Sequence, residues 1–171
     1  MNLVPNPLHP AVVHFPIVLL LLGSVVAIAA VFLRKHGVPT VAAGLLVLGA
    51  LGAWGAVESG ESDGGLLENT SPQTDSLVEA HETWAKRALI ISIFAAFAAG
   101  GSVLAARWPR IARVVAVVAA LISLAAAYGI YETGHRGGAL VYRNGAGIQV
   151  ATTKSPPPEA ASGAAGERDN D

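Results

Sequence analysis

Histidines and carboxylates recur at the ends of the apolar segments of this sequence. Neutral imidazole is the commonest metal ligand in proteins and changes its charge near neutral pH. Two imidazoles that face each other across a helical bundle can hold a b-type haem, and mixed histidine and glutamate sets suit transition metals. The candidate cofactor ligands are His14, His81, His135 and His9. A metal ion would draw on His14, His81, His135, Glu58, Glu82 and Glu132.

The apolar segments must position these residues. The chain is 53% hydrophobic and only 13% charged, whereas soluble domains carry about 25% charged residues. A helix that crosses a bilayer needs about 20 apolar residues. Stretches of this kind, free of Lys, Arg, Asp and Glu, are residues 15–33, 38–57, 88–106 and 114–131. We therefore predict an all-α membrane protein, a four-transmembrane-helix bundle in one domain over residues 1–150.

The short loops predict the orientation of the bundle. Arg34-Lys35-His36 and residues 107–113 are basic and contain no acid, so the positive-inside rule places both loops in the cytoplasm. Both termini and the outer loop, residues 58–87, are then extracytoplasmic. His9, His14, His81 and His135 would share that outer rim. Among them His14, beside Phe15 and Pro16, is the strongest ligand candidate, and His9 is more typical of a solvated or capping residue.

Three outer segments have local signals of their own. We expect residues 58–87 to be irregular, with a helical lead-in at Ser76–Thr83. Asn144-Gly145 between two partly apolar runs is a strong signal for a tight turn, which predicts a small β-hairpin over residues 139–150. The polar, proline-rich residues 151–171 cannot bury enough apolar surface to fold, which predicts a disordered tail.

Several functional classes are excluded or not indicated. The chain contains no cysteine, so disulfides, thiolate metal sites and covalent haem attachment are excluded. A net charge of -1 without a basic patch argues against nucleic acid as a partner. No nucleophile arrangement, phosphate loop or dinucleotide fingerprint stands out, and an enzyme is not indicated. For each histidine, a polar residue at a membrane interface is the ordinary interpretation.

The residues resemble a known family. The opening motif runs from Leu8-His9-Pro10 to His14-Phe15-Pro16-Ile17, His81-Glu82 precedes the third span, and residues 137–142 read Gly-Gly-Ala-Leu-Val-Tyr before a glycine-rich turn. These features are similar to the bacterial and archaeal membrane family called domain of unknown function 2231. The resemblance implies a four-helix integral membrane protein, in the bacterial inner membrane, without a settled activity. Where that family often has Tyr-x-His-Gly, this chain has Asn144 in place of the histidine.

Two functional hypotheses follow. The first is a haem- or metal-binding electron-transfer module of the membrane, with His14 and either His81 or His135 as ligands on the outer face. Its partner would be a redox protein of the membrane or periplasm. The alternative is a non-catalytic scaffold or accessory subunit of a larger membrane complex. A transporter or channel is disfavoured, because no ionisable residue lies at mid-membrane, where transport pathways commonly need one.

Overall fold

The computed structural model describes residues 9–35, 37–64 and 72–144. Within these ranges the chain is almost entirely helical, and no strand occurs there. A 3₁₀ turn at Ala105–Arg107 separates the last two helices. The helices are α1 His9–Val12, α2 His14–Phe32, α3 Val38–Gly64, α4 Pro72–Leu104 and α5 Pro109–Asn144.

A single residue, Val13, separates helices α1 and α2. Val13 has right-handed helical dihedrals, φ −61° and ψ −28°, and its N–H donates to the His9 carbonyl at 3.1 Å. Pro16 lies in the first turn of α2, where the missing N–H of proline costs little. The two proline-containing turns at the start of the chain therefore lead directly into the first long apolar helix.

Four helical segments are long and apolar enough to cross a membrane: His9–Phe32, Val38–Ser62, Thr74–Arg107 and Pro109–Tyr142. The largest apolar side chains lie on the outside of the bundle, with Phe97 76% and Leu104 83% exposed. The inside is lined mainly by alanine, glycine and serine, together with Leu20 and Leu46. Lipid is as apolar as these outward side chains, and small residues allow helices to approach closely. The predicted helical bundle is confirmed.

The helices close into a four-sided bundle. α2 packs on α3, α3 on α4, α4 on α5, and α5 returns to α2. α2 and α3, preceded by α1, form the first helical hairpin, and α4 and α5 form the second. Close contacts occur at glycines within both hairpins. A Cβ placed on Gly49 of α3 would lie 2.7 Å from Leu20 Cδ2, and one placed on Gly129 of α5 would lie 3.0 Å from the Cβ of Ala88.

The first and second hairpins repeat each other. His81 follows His9 by 72 positions, and the same offset carries every buried residue of α2 onto a buried residue of α4. The matched positions are Pro16 and Ala88, Leu20 and Ser92, Gly23 and Ala95, Ser24 and Ala96, Ala27 and Ala99, and Ala30 and Ser102. An offset of 77 likewise matches Gly52 with Gly129 and Gly60 with Gly137. The chain is therefore an approximate two-fold repeat, an arrangement that membrane proteins use with the axis along the membrane normal.

A small cavity supports this repeat. It lies near the basic loops, measures about 10 Å³ and is the size of about one water molecule. Its lining residues fall into four equivalent pairs under the two offsets: Ala27 and Ala99, Ala30 and Ser102, Pro39 and Ala116, and Ala42 and Ala119. A cavity lined in this way lies on the axis that relates the hairpins.

The predicted β-hairpin is wrong. Residues 139–143, the predicted first strand, and Asn144 of the predicted turn continue α5 without interruption. Residues 145–150 lie outside the described part of the chain. Tertiary contacts explain the difference. Leu140 is only 6% exposed, and Gly137 packs against the ring of His81. These contacts stabilise a continued helix and outweigh the local preference of Asn144-Gly145 for a turn.

The helices also extend into the expected outer loop. α3 continues to Gly64 and α4 begins at Pro72, so helix covers much of the region where we expected irregular structure. Lys86 Nζ lies 2.8 Å from a Glu61 carboxylate oxygen and links the two extensions. Residues 65–71 and the tail, residues 151–171, lie outside the described residues.

Candidate functional site

Two histidines meet at the end of the bundle that lies opposite the basic loops. His9 on α1 and His81 on α4 have ring centroids 6.1 Å apart, with ring planes at 89°. They occupy equivalent positions in the two hairpins. Because equivalent positions meet only close to the axis of a two-fold repeat, the short distance between the rings places the pair near that axis, with one histidine from each half.

His9 is held by the α3 helix of its own hairpin. Its Nδ1 lies 2.9 Å from the Ala56 carbonyl oxygen and 3.2 Å from Ser59 Oγ. Gly60 lies one turn beyond Ala56, and a Cβ there would stand 3.0 Å from His9 Cε1. The missing side chain of Gly60 therefore makes room for the imidazole.

His81 is held by α5 in the same way. Its Nδ1 lies 2.9 Å from the Thr133 carbonyl oxygen. Gly137 follows Thr133 by four residues, as Gly60 follows Ala56, and a Cβ on it would lie 3.1 Å from His81 Cε1. Each histidine thus has a carbonyl acceptor and, one turn further on, a glycine against its ring.

The hydrogen bonds fix the tautomer of both rings. A carbonyl oxygen only accepts, so Nδ1 carries the hydrogen in each imidazole and donates it. In the neutral ring Nε2 then holds the lone pair that binds a proton or a metal. Metal-ligating histidines characteristically donate their other N–H to a backbone carbonyl or carboxylate, which orients the ring. Both rings of the pair therefore make the kind of hydrogen bond to a backbone carbonyl that orients a metal-ligating histidine.

The other predicted histidines have different surroundings. His14 is exposed and donates from Nδ1 to the Pro10 carbonyl at 2.9 Å, within its own helical turn. His135 is exposed and stacks on Tyr131, with centroids 6.2 Å apart. The structure brings His9, and not His14, beside His81.

The predicted carboxylates make local contacts. Glu58 accepts from Trp54 Nε1 at 3.2 Å, and Glu82 lies 3.9 Å from Lys86 Nζ. Glu132 accepts from Tyr128 at 3.1 Å and pairs with Arg136 at 3.1 Å. Within residues 9–35, 37–64 and 72–144, no three His, Cys, Asp or Glu residues are grouped so that they could hold a metal ion. The site that the structure describes is therefore a pair of imidazoles, each held by a backbone carbonyl.

Sequence reasoning missed the glycines and carbonyls that hold the two rings. The signal was nevertheless present, since the chain repeats at an offset of 72 positions with histidine at both ends of that interval. An internal comparison of the two apolar hairpins would have paired His9 with His81 and Gly60 with Gly137. His14 has no such counterpart, because the equivalent residue is Lys86.

A comparison with protein families agrees with the fold. Residues 5–150 match the model of the family described as "Predicted membrane protein (DUF2231)". The chain belongs to this family. The match spans both hairpins and both histidines of the pair, and with the four apolar helices it identifies an integral membrane protein. No curated protein and no solved structure matches the chain.

Proposed function

We propose that His9 and His81 together hold one redox-active transition-metal ion, and that the protein is a membrane electron-transfer module. The observation that supports this most is the symmetric hydrogen bonding of two neighbouring imidazoles, each with Nδ1–H on a backbone carbonyl.

The separation of the rings suits a shared ion. A metal–imidazole bond is about 2.0–2.1 Å long, so two rings on opposite sides of one ion have centroids roughly 6 Å apart. The observed distance is 6.1 Å. Imidazole suits copper, iron, zinc and nickel, and an electron-transfer role selects copper or iron.

A b-type haem would require the same axial spacing and, in addition, room for a porphyrin beside the axis. On the membrane side of the pair, Gly52 lies close to Pro16 and Gly129 lies close to Ala88, since a Cβ on either glycine would stand within 3.3 Å of its neighbour; this close packing supports a bare ion. The described residues therefore favour a bare ion over a haem.

In this role the ion would exchange single electrons with a redox protein of the membrane or periplasm. The chain contributes the two imidazoles and the backbone carbonyls that orient them. The basic loops around Arg34 and Arg110 support a cytoplasmic position for the opposite end of the bundle. The pair would then lie on the extracytoplasmic side of the inner membrane, with both termini on that side.

One observation favours a different function. The absence of a third ligand among the described residues is consistent with a scaffold or accessory subunit of a larger membrane complex, in which the histidine pair only packs. The two functions differ in one measurable property, which is whether the pair retains an ion.

The test is metal content and absorption of the detergent-purified protein, before and after loading with one equivalent of copper. We expect one ion per chain in the wild type, and its loss in both His9→Gln and His81→Gln. His14→Gln is the matched control, because His14 is also an Nδ1–H donor to a carbonyl at this rim. A wild type that binds no copper or iron would overturn the metal proposal, and a Soret band would replace the bare ion with a haem.

A further inference from the structure

A second cluster at the outer rim lies on the lipid-facing side of α4 and α5. It consists of Trp84 and Arg87 on α4 and Tyr128 and Arg136 on α5, and we call it the Trp84 cluster. The guanidinium carbons of Arg87 and Arg136 each lie 5.4 Å from the centroid of the Trp84 ring. Tyr128 contacts the same indole edge to face, with centroids 6.0 Å apart. Two cations thus share one aromatic ring.

The cluster has more positive charge than its neighbours neutralise. Arg136 Nη2 pairs with Glu132 at 3.1 Å, and the Tyr128 hydroxyl donates to the same carboxylate. Within the described part of the chain, Arg87 has no carboxylate at ion-pair distance. The Nε of Arg136 is buried there without a hydrogen-bond acceptor. One carboxylate therefore faces two guanidinium groups, and one donor lacks an acceptor.

The repeat shows that this cluster is particular to the second hairpin. The positions equivalent to Trp84 and Arg87 in the first hairpin are Val12 and Phe15, and those equivalent to Tyr128 and Arg136 are Leu51 and Ser59. The buried faces of the two hairpins match, whereas this outward face does not. Phe15 and Leu51 are each 57% exposed, as apolar residues facing lipid would be. The cations and aromatic rings are thus an addition to the second hairpin.

The depth of the cluster along the helices indicates what kind of ligand it would meet. Trp84 lies about one turn from His81, at the end of the apolar part of α4, and Trp and Tyr favour the headgroup level of a bilayer. Guanidinium groups recognise phosphate through several N–H donors, and basic pockets between transmembrane helices bind anionic headgroups. We propose that the Trp84 cluster binds the phosphate of an anionic phospholipid, with the headgroup at Arg87 and Arg136 and the first acyl carbons against Trp84 and Tyr128.

The experiment uses Trp84 as a local reporter. Substituting Trp54→Phe and Trp108→Phe at exposed positions leaves Trp84 as the single tryptophan of the chain. This protein is reconstituted in phosphatidylcholine vesicles that contain a small fraction of brominated lipid, either phosphatidylglycerol or phosphatidylcholine. We expect brominated phosphatidylglycerol to quench the fluorescence several-fold more strongly at equal mole fraction.

Substitutions separate binding from general membrane insertion. Arg87→Gln combined with Arg136→Gln should make the two brominated lipids equivalent, while Arg110→Gln at the opposite rim should leave the preference intact. Arg136→Lys retains the charge and should retain most of the preference. If the double variant does not fold, the single variant Arg87→Gln is tested instead. Arg87 is exposed, so this substitution should not disturb folding. Equal quenching by both lipids in the wild type would overturn the lipid assignment. The assignment would also be overturned if millimolar inorganic phosphate abolished the preference for phosphatidylglycerol.

Discussion

Ser24 on α2 donates its hydroxyl hydrogen across the bundle to the backbone carbonyl of Ser123 on α5, with the two oxygens 2.9 Å apart. Both serines are buried, and Ser24 Oγ is also 2.7 Å from the Leu20 carbonyl of its own helix. The bond joins the first hairpin to the second near the middle of the apolar region. Near the basic loops, a second contact between the two hairpins places Arg34 Nη2 3.3 Å from the Ser102 carbonyl oxygen.

The Ser24 bond predicts a small loss of stability on its removal. Interhelical hydrogen bonds in membrane proteins contribute on average about 0.6 kcal/mol, so Ser24→Ala should lower the free energy of unfolding by about 0.5–1 kcal/mol. Ser62→Ala removes only an exposed bond to the Glu58 carbonyl and should have no measurable effect. Unfolding by denaturing detergent in mixed micelles measures both. A loss above about 2 kcal/mol for Ser24→Ala would mean that this bond does more than the average case.

The glycines against the histidine rings predict equal effects in the two hairpins. Gly60→Ala and Gly137→Ala each place a methyl group within 3.1 Å of an imidazole carbon and should displace the ring from its carbonyl acceptor. Loss of such outer contacts typically lowers metal affinity by about 10–100-fold, and we expect this loss of copper affinity in both variants.

Gly134→Ala on α5 is the control for these substitutions, because nothing lies within 4 Å of its added Cβ. It should leave copper binding unchanged and stabilise the helix by up to about 1 kcal/mol. Unequal responses of the Gly60 and Gly137 variants would contradict a symmetric site. Copper titration of the detergent-solubilised proteins distinguishes these outcomes.

Packing at Gly49 predicts a specific rescue. Gly49→Ala puts a methyl group 2.7 Å from Leu20 Cδ2 in the core, and such overpacking costs about 1–3 kcal/mol. Leu20→Ala should relieve the clash, so the double variant should lose less stability than the sum of the two single variants. Gly44→Ala, with open space around its Cβ, is the control. Additive losses in the same unfolding assay would show that the two residues do not contact each other.

The apparent affinity for the ion should fall with decreasing pH at a rate set by the number of histidine ligands. Both imidazoles must be neutral to bind a metal, so below the pH at which they protonate each bound ion displaces two protons. The apparent affinity then falls roughly 100-fold for each pH unit. Competition titrations with a chelator at a series of pH values measure this slope. A slope of one proton would leave only one of the two histidines as a ligand.

Much of the fold could be predicted from the sequence because lipid imposes simple requirements on a spanning chain. A spanning segment must be apolar, helical and about 20 residues long, and residues 15–33 or 38–57 meet these requirements without reference to any partner. The same reasoning predicted that the histidines lie at the ends of the apolar segments. It could not rank them, because ranking depends on which helices are neighbours.

The ends of the helices were harder to predict, since local preferences there compete with contacts. Asn144-Gly145 favours a turn in isolation, yet Leu140 is buried and Gly137 packs on His81, so α5 continues to Asn144. The extensions of α3 and α4 are likewise joined by Lys86 and Glu61. None of these contacts is local in the sequence.

The sequence by itself determined that this chain is a membrane protein with four apolar helices able to span a bilayer, because the hydrophobic requirement of a bilayer acts on each segment independently. Only the tertiary structure decided that His9 meets His81 while His14 and His135 stay on the surface. The physical reason is that a ring becomes part of a site through the carbonyl and the glycine of a neighbouring helix. That neighbour is set by the packing of two repeated hairpins, not by any single segment.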